Sequence, residues 1–171
     1  GGVHSEVGKF IAHEKLRPAQ EKMVTDGINA LDHQGFLLAA APTGIGKTAA
    51  SLAAALEIAR SNINHQHILF LTGRQSQHKL VIETVKDINS RLDREIPSVK
   101  VVDIIGRESM CENVDRMTSK CSCEEGIVEG TRQSRRDDMK EYILRSPKHV
   151  DEVIKSSNKK KICPWAAARS A

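Results

Sequence analysis

Residues Ala41-Pro42-Thr43-Gly44-Ile45-Gly46-Lys47-Thr48 follow a short apolar run and precede an alanine-rich one. The octapeptide has the G-x-x-x-x-G-K-[ST] pattern of a phosphate-binding loop, with Ala41 in the first glycine position. Each part answers a demand of a nucleoside triphosphate. Gly44 and Gly46 let successive N–H groups turn inward as an anion nest. The helix expected after them adds unsatisfied N–H groups and the positive end of its dipole. Lys47 suits the β- and γ-phosphates, and the Thr48 hydroxyl suits Mg²⁺. Thr43–Thr48 is therefore the expected nucleotide site.

Working outward, Gly35–Ala41 (GFLLAAA) reads as a buried strand feeding the loop, and Thr48–Ser61 as a helix whose alanines suit close packing. His67–Thr72 and Val99–Ile105 read as second and third strands, with a helix over Gln75–Leu92 between them. An earlier helix is expected within residues 14–31, where Pro18 suits a first turn. Strands alternating with helices predict an α/β fold with an incomplete parallel sheet and right-handed crossovers. The texture changes near Gly106. From there to Cys163 no strand is legible, and charged helices are expected over Arg132–Arg145 and His149–Ser156, separated by Ser146-Pro147.

The chain has 171 residues, enough to bury a sizeable core. A net charge of +4 is too small to imply nucleic acid by itself, and 3% aromatic residues leave few rings for base stacking. No apolar run approaches the roughly 20 residues of a membrane span, and no signal peptide is legible, so an intracellular protein with reduced thiols is expected. The leading Gly1-Gly2 is excluded from fold reasoning.

All four cysteines, Cys111, Cys121, Cys123 and Cys163, fall in the second segment. Structural thiols would scatter through a core, whereas a four-thiolate metal site accounts for both number and clustering. Zinc pairs are usually separated by two to four residues, and here only Ser122 lies between Cys121 and Cys123. The common ferredoxin spacings are also absent, so zinc and iron–sulfur both remain open on chemistry alone.

Several motifs occur in a telling order: Arg17-Pro-Ala-Gln20, Ala41–Thr48, Leu71-Thr-Gly-Arg-Gln-Ser-Gln77, Gly106-Arg-Glu-Ser-Met-Cys111, then Cys163-Pro-Trp165 with Ala166–Arg169. This series resembles the N-terminal part of XPD-type superfamily 2 DNA helicases, which carry an iron–sulfur lobe inserted in the first motor domain. The resemblance implies a RecA-like P-loop motor segment over 1–106, an iron–sulfur lobe over 107–163 and a return segment over 164–171. It implies ATP as nucleotide, read at adenine by Gln20 with Arg17, and held by Thr43, Gly44, Ile45, Gly46, Lys47 and Thr48 with Mg²⁺. Lys47 and Thr48 would be the catalytic pair. It also implies single-stranded DNA at Arg74 and Gln77, and a 4Fe–4S cluster on Cys111, Cys121, Cys123 and Cys163. Tyr142, Trp165 and basic residues between 132 and 161 are further candidates to meet DNA.

The expected activity is ATP-dependent 5′→3′ translocation and duplex separation in DNA repair, on single-stranded and forked DNA. A monomer is expected, cytoplasmic in a prokaryote or nuclear in a eukaryote. The family's D-E-A-H motif does not occur in this sequence, so weak ATP binding with negligible turnover is expected of this piece alone. Two rivals are a zinc-bound nucleic-acid-binding module with a vestigial nucleotide loop, and a non-helicase P-loop ATPase.

Overall fold

The computed structural model describes residues 8–64 and 66–171, so Gly1-Gly2 and His65 lie outside the described residues. It forms two compact units, Gly1–Val99 and Lys100–Ala171. Seven helices follow in order among the described residues: α1 (Pro18–Asp32), α2 (Lys47–Ser61), α3 (Ser76–Arg91), α4 (Arg107–Met110), α5 (Glu129–Arg145), α6 (Val150–Lys159) and α7 (Pro164–Ser170).

The α/β expectation of a RecA-like P-loop parallel sheet is overturned. Among the described residues there is no strand, and the one strand-like pairing is an isolated antiparallel bridge between Val114 and Cys121. The segments expected as strands run without regular structure and form no ladder. Their apolar pattern is nonetheless real. Ile68 and Phe70 are 37% and 38% exposed, while Leu69 and Leu71 are 82% and 80% exposed. That alternation is the period-two signature of extended chain with one side covered. Alternation reports the conformation of a segment, but a sheet also requires a neighbour about 4.8 Å away to take its N–H and C=O groups. At Val99 a side chain supplies those partners: Asn89 Nδ2 donates to the Val99 carbonyl at 3.0 Å, and the Val99 N–H donates to Asn89 Oδ1 at 2.7 Å.

In the first unit α1 lies on α2 through Val24, Ala50, Ala53 and Ala54, all buried, with Ile11, Leu16, Met23 and Ile28 around them. The alanines permit close approach, and Gly27 sits at the closest point: a Cβ there would lie 2.8 Å from the Ala54 Cβ. α3 turns inward Ile82, Val85 and Ile88. Arg91 Nε donates to the Ala12 carbonyl at 3.1 Å, tying the segment before α1 to the end of α3.

The second unit has its own core of Met110, Met139, Ile143, Val150, Val153, Ile154, Ile162, Ala167 and Ala168. The short alanine-rich α7 contacts α4, α5 and α6, its small residues letting three helices share one post. Two buried charges finish helix ends. The Asp103 carboxylate accepts the Val150 N–H at the start of α6, at 2.8 Å. Lys148, also buried, donates to the carbonyls of Tyr142 and Ser146 at 2.6 and 3.0 Å, and to Ser146 Oγ at 2.8 Å. Its ammonium lies 4.3 Å from the centroid of the Tyr142 ring. This is a cation closing the negative end of α5. Lys148→Met keeps the length and removes the charge, leaving those carbonyls without the ammonium. The expected loss is about 2–3 kcal/mol of unfolding free energy, measured by urea denaturation.

Candidate functional site

The first candidate site is built on the turn into α2. Gly44 and Gly46 both adopt the left-handed conformation, with φ of 85° and 83°. At Gly46 the requirement is double, because a Cβ would come within 2.4 Å of Gln20 Nε2. Gly46 caps α2, so the free N–H groups of that helix begin at Lys47. Lys47 Nζ donates to the Ala41 carbonyl at 2.8 Å, folding the ammonium back over the loop that precedes it. Thr48 lies half-buried in the first turn of α2, and Thr43 is exposed.

Arg17 and Gln20 clasp this loop. The Arg17 guanidinium donates to the Gly44 carbonyl, and Gln20 Nε2 donates to the Gly46 carbonyl at 3.3 Å. Gln20 is 3% exposed, and its amide oxygen accepts the Arg17 N–H at 3.5 Å. Both ends of the amide expected to read adenine are thus engaged with the loop and its own helix start. A cleft of about 190 Å³ beside the loop is lined by Arg17, Gln20, Gly44 and Gly46 together with His13 and Lys15. Sequence reading missed the last two, which stand in the irregular segment before α1 without a motif of their own. Arg74 and Gln77 are exposed at the start of α3, where the Gln77 N–H donates to the Arg74 carbonyl at 3.1 Å.

The second site gathers the cysteines. Cys111, Cys123 and Cys163 are buried together, with Cys121 half-buried against them and Val114, Trp165 and Ala166 packed around. The sulfurs of Cys111, Cys121 and Cys123 lie within 4.8 Å of one another. A tight turn makes this possible. Asp115 Oδ1 accepts the N–H groups of Met117 and Thr118 at 2.8 and 3.1 Å, and the Asp115 N–H donates to the Lys120 carbonyl at 2.9 Å. Those two backbone bonds hold the Asp115 carboxyl below its ordinary value. The returning chain is locally extended, so Cys121 and Cys123, two residues apart, present sulfurs to one side, 3.0 Å from each other. A gap of one residue is therefore compatible with a shared centre. Cys163 arrives from the start of α7.

The expectation of reduced thiols is not met throughout. Cys111 and Cys121 are joined as a disulfide, while Cys123 and Cys163 are free. The turn that converges three sulfurs also brings two into bonding reach, so proximity serves either chemistry. The Cys163 thiol is held down to about 6 by its hydrogen bond with Cys123, aided by the Ala166 N–H and opposed by burial. The same bond, with burial, pushes the Cys123 thiol far up. One of the two is thus poised to carry a thiolate, the form that binds soft metals. As thiols, Cys111, Cys121 and Cys123 could hold a metal, with Cys163 packed beside them; as a disulfide, Cys111 and Cys121 are lost as donors.

Glu124 and Arg136 complete this centre and carried no sequence motif. Arg136 on α5 makes a two-pronged bond to the Glu124 carboxylate, Nε donating at 2.8 Å. Burial pushes Glu124 upward, but the Arg136 bond, the Cys163 N–H and the guanidinium charge hold it below the usual range. The pair thereby joins the loop of Cys123 to α5 and to the start of α7. Arg136→Met leaves a carboxylate, 11% exposed, without its cation. The expected cost is about 2 kcal/mol, and Glu124→Gln made in the same chain should recover part of it, since an orphaned charge costs more than a missing pair. Guanidinium denaturation of both variants checks this.

The two aromatic candidates are internally engaged. Arg107 and Arg169 lie 5.6 and 4.7 Å from the Trp165 ring centroid, and Lys148 covers Tyr142.

A family model described as the type III restriction enzyme, res subunit, matches residues 13–162. The chain belongs to that family. The matched span contains the Arg17–Gln20 clasp, the phosphate loop and the three-cysteine turn, and ends one residue before Cys163. No curated protein and no solved structure gives a significant match. Membership in this helicase-like family carries ATP and Mg²⁺ as ligands and a helicase- or ATPase-like function on nucleic acid. Among the described residues no helix is long and apolar enough to cross a membrane.

Proposed function

We propose that this res-subunit family member is the nucleotide-binding and cluster-bearing part of an XPD-type DNA helicase, translocating 5′→3′ on single-stranded DNA and opening forked duplexes in DNA repair. The observation that carries the reading is the convergence of all four cysteines, from two distant stretches, in a chain of a helicase-like family. An intracellular monomer is part of the proposal, in the cytoplasm or nucleus according to the cell.

The chain's own residues divide the work. The N–H groups from Gly44 into α2 receive phosphate oxygens, and Lys47 exchanges the Ala41 carbonyl for the β- and γ-phosphates. The Thr48 hydroxyl would hold Mg²⁺, which when bound would supply positive charge against the phosphates. Arg17 and Gln20 donate to the Gly44 and Gly46 carbonyls and so fix two peptide groups of the loop. Adenine recognition by Gln20 would exchange its amide's bonds to the Gly46 carbonyl and the Arg17 N–H for the base. Arg74, exposed just before α3, and Gln77, exposed in its first turn, are the proposed contacts to the strand. Cys111, Cys121, Cys123 and Cys163 would hold a 4Fe–4S cluster, which supplies cross-linking to the lobe and no step of hydrolysis.

Iron, zinc and acid-labile sulfide content of the anaerobically purified full chain tests this. About four irons and four sulfides per chain, with brown absorbance, is the expected result for a thiolate-held cubane. One zinc and no sulfide would overturn the cluster and leave family membership untouched.

A further inference from the structure

Trp165, the single tryptophan of the chain, stands half-buried at the start of α7 and packs against the core of the second unit. Two guanidiniums lie over its ring, Arg107 from α4 and Arg169 from the end of α7, their central carbons 5.6 and 4.7 Å from the centroid. Both arginines are exposed, and among the described residues neither is paired with a carboxylate. That sets them apart from the arginines of α5. Arg132 and Arg136 face Glu129 and Glu124, and Arg135 is spent on the Lys160 carbonyl. Glu108, the acid next to Arg107 in sequence, accepts the Ser119 hydroxyl at 2.8 Å instead.

The chemistry of the pair selects the ligand. A guanidinium over an aromatic ring keeps the N–H donors around its rim, whereas one paired to a carboxylate spends two of them. The indole also restrains both side chains, so less rotamer freedom is lost when they meet a ligand. Two like charges gathered at one ring repel each other, and an anion at their rims offsets that repulsion. Forked planar donors suit phosphate oxygens, and the family's function is on nucleic acid. We infer that Arg107 and Arg169 bind phosphates of a single strand, with Trp165 as the positioning residue that holds them. The ring then carries cations instead of stacking on a base, so the contact reads backbone charge and no sequence. The inference rests on the single-strand reading above and adds two contacts in the second unit to Arg74 and Gln77.

The test is the affinity of the full chain for fluorescent oligo-dT and oligo-dA strands across a range of salt. Arg107→Gln and Arg169→Gln should each weaken both strands about tenfold. Each should also make the slope of log K against log salt shallower by about 0.7, the share of one phosphate on a single strand. Arg169→Lys keeps the charge without the fork, so affinity should fall severalfold while the slope stays native. Trp165→Leu should weaken binding at an unchanged slope, and Trp165→Phe should restore it, because a ring is what holds the guanidiniums. Native slopes in both glutamine variants, with or without a lowered melting temperature, would overturn the site and leave strand binding standing. Displacement of the strand by inorganic pyrophosphate or by a polyglutamate peptide, at concentrations equal to the strand's, would overturn the strand as its ligand. Failure of the native chain to bind either strand would overturn the single-strand reading itself.

Discussion

With the proposed metal held by all four thiols, Cys163→Ser is expected to strip it from the second unit and to lower that unit's stability by several kcal/mol. Cys111, Cys121 and Cys123 converge through one local turn, whereas Cys163 comes from the start of α7 after α5 and α6 have intervened. A bond to Cys163 therefore closes a long loop, which in the unfolded chain carries the larger entropy. Structural metal sites in small lobes contribute on the order of 10 kcal/mol to folding, and losing the long-range ligand forfeits more than losing a local one. Metal content should fall to background in Cys163→Ser, and its thermal transition should drop further than that of Cys121→Ser. Full metal content in Cys163→Ser would remove that residue from the centre. Oxidation supplies a companion result: with Cys111 and Cys121 paired, only Cys123 and Cys163 should react with a thiol reagent once the chain is unfolded in denaturant, and the folded chain should take up metal only after the disulfide is reduced.

Lys47→Ala should weaken Mg²⁺·ATP binding on the order of a hundredfold. The ammonium is anchored 2.8 Å from the Ala41 carbonyl, so the native side chain is already gathered over the loop and loses little freedom on meeting phosphates. Its replacement removes charge-assisted bonds to two phosphates, together about 3 kcal/mol. The substitution lies at an exposed position in the first turn of α2, where alanine is a good helix former, so the fold should be unchanged. Calorimetric titration of the two chains measures the ratio. Equal affinity would mean that the Gly44–Thr48 turn is not the nucleotide site.

The helices were legible because their cues are local. Pro18 opens α1, and α2 follows Gly46 as the phosphate-loop pattern requires. Pro147 separates α5 from α6. The sheet was misread because pairing is not a local property. Segments 35–41 and 67–72 have strand-like composition, yet Phe36 and Leu38 are fully exposed and no neighbour takes their backbone groups. The core of the second unit was also under-read. Met110, Met139 and Ile162 are nearly inaccessible, but they are scattered among charges and show no stripe in a linear reading.

By itself, then, the sequence determined the chemistry available: a glycine-bracketed lysine and threonine for a triphosphate, and four thiols confined to one segment. Tertiary structure alone decided how those groups are held. It buried Gln20 and committed both ends of its amide to the phosphate loop. It brought Arg136 across from α5 to Glu124, and through it to Cys163. It set the sulfurs of Cys121 and Cys123 on one side of an extended turn, and paired Cys121 with Cys111. The physical reason is the same in each case. Residue type sets which bonds a side chain can make, while distance and burial, which depend on the whole packed chain, choose which of them it makes.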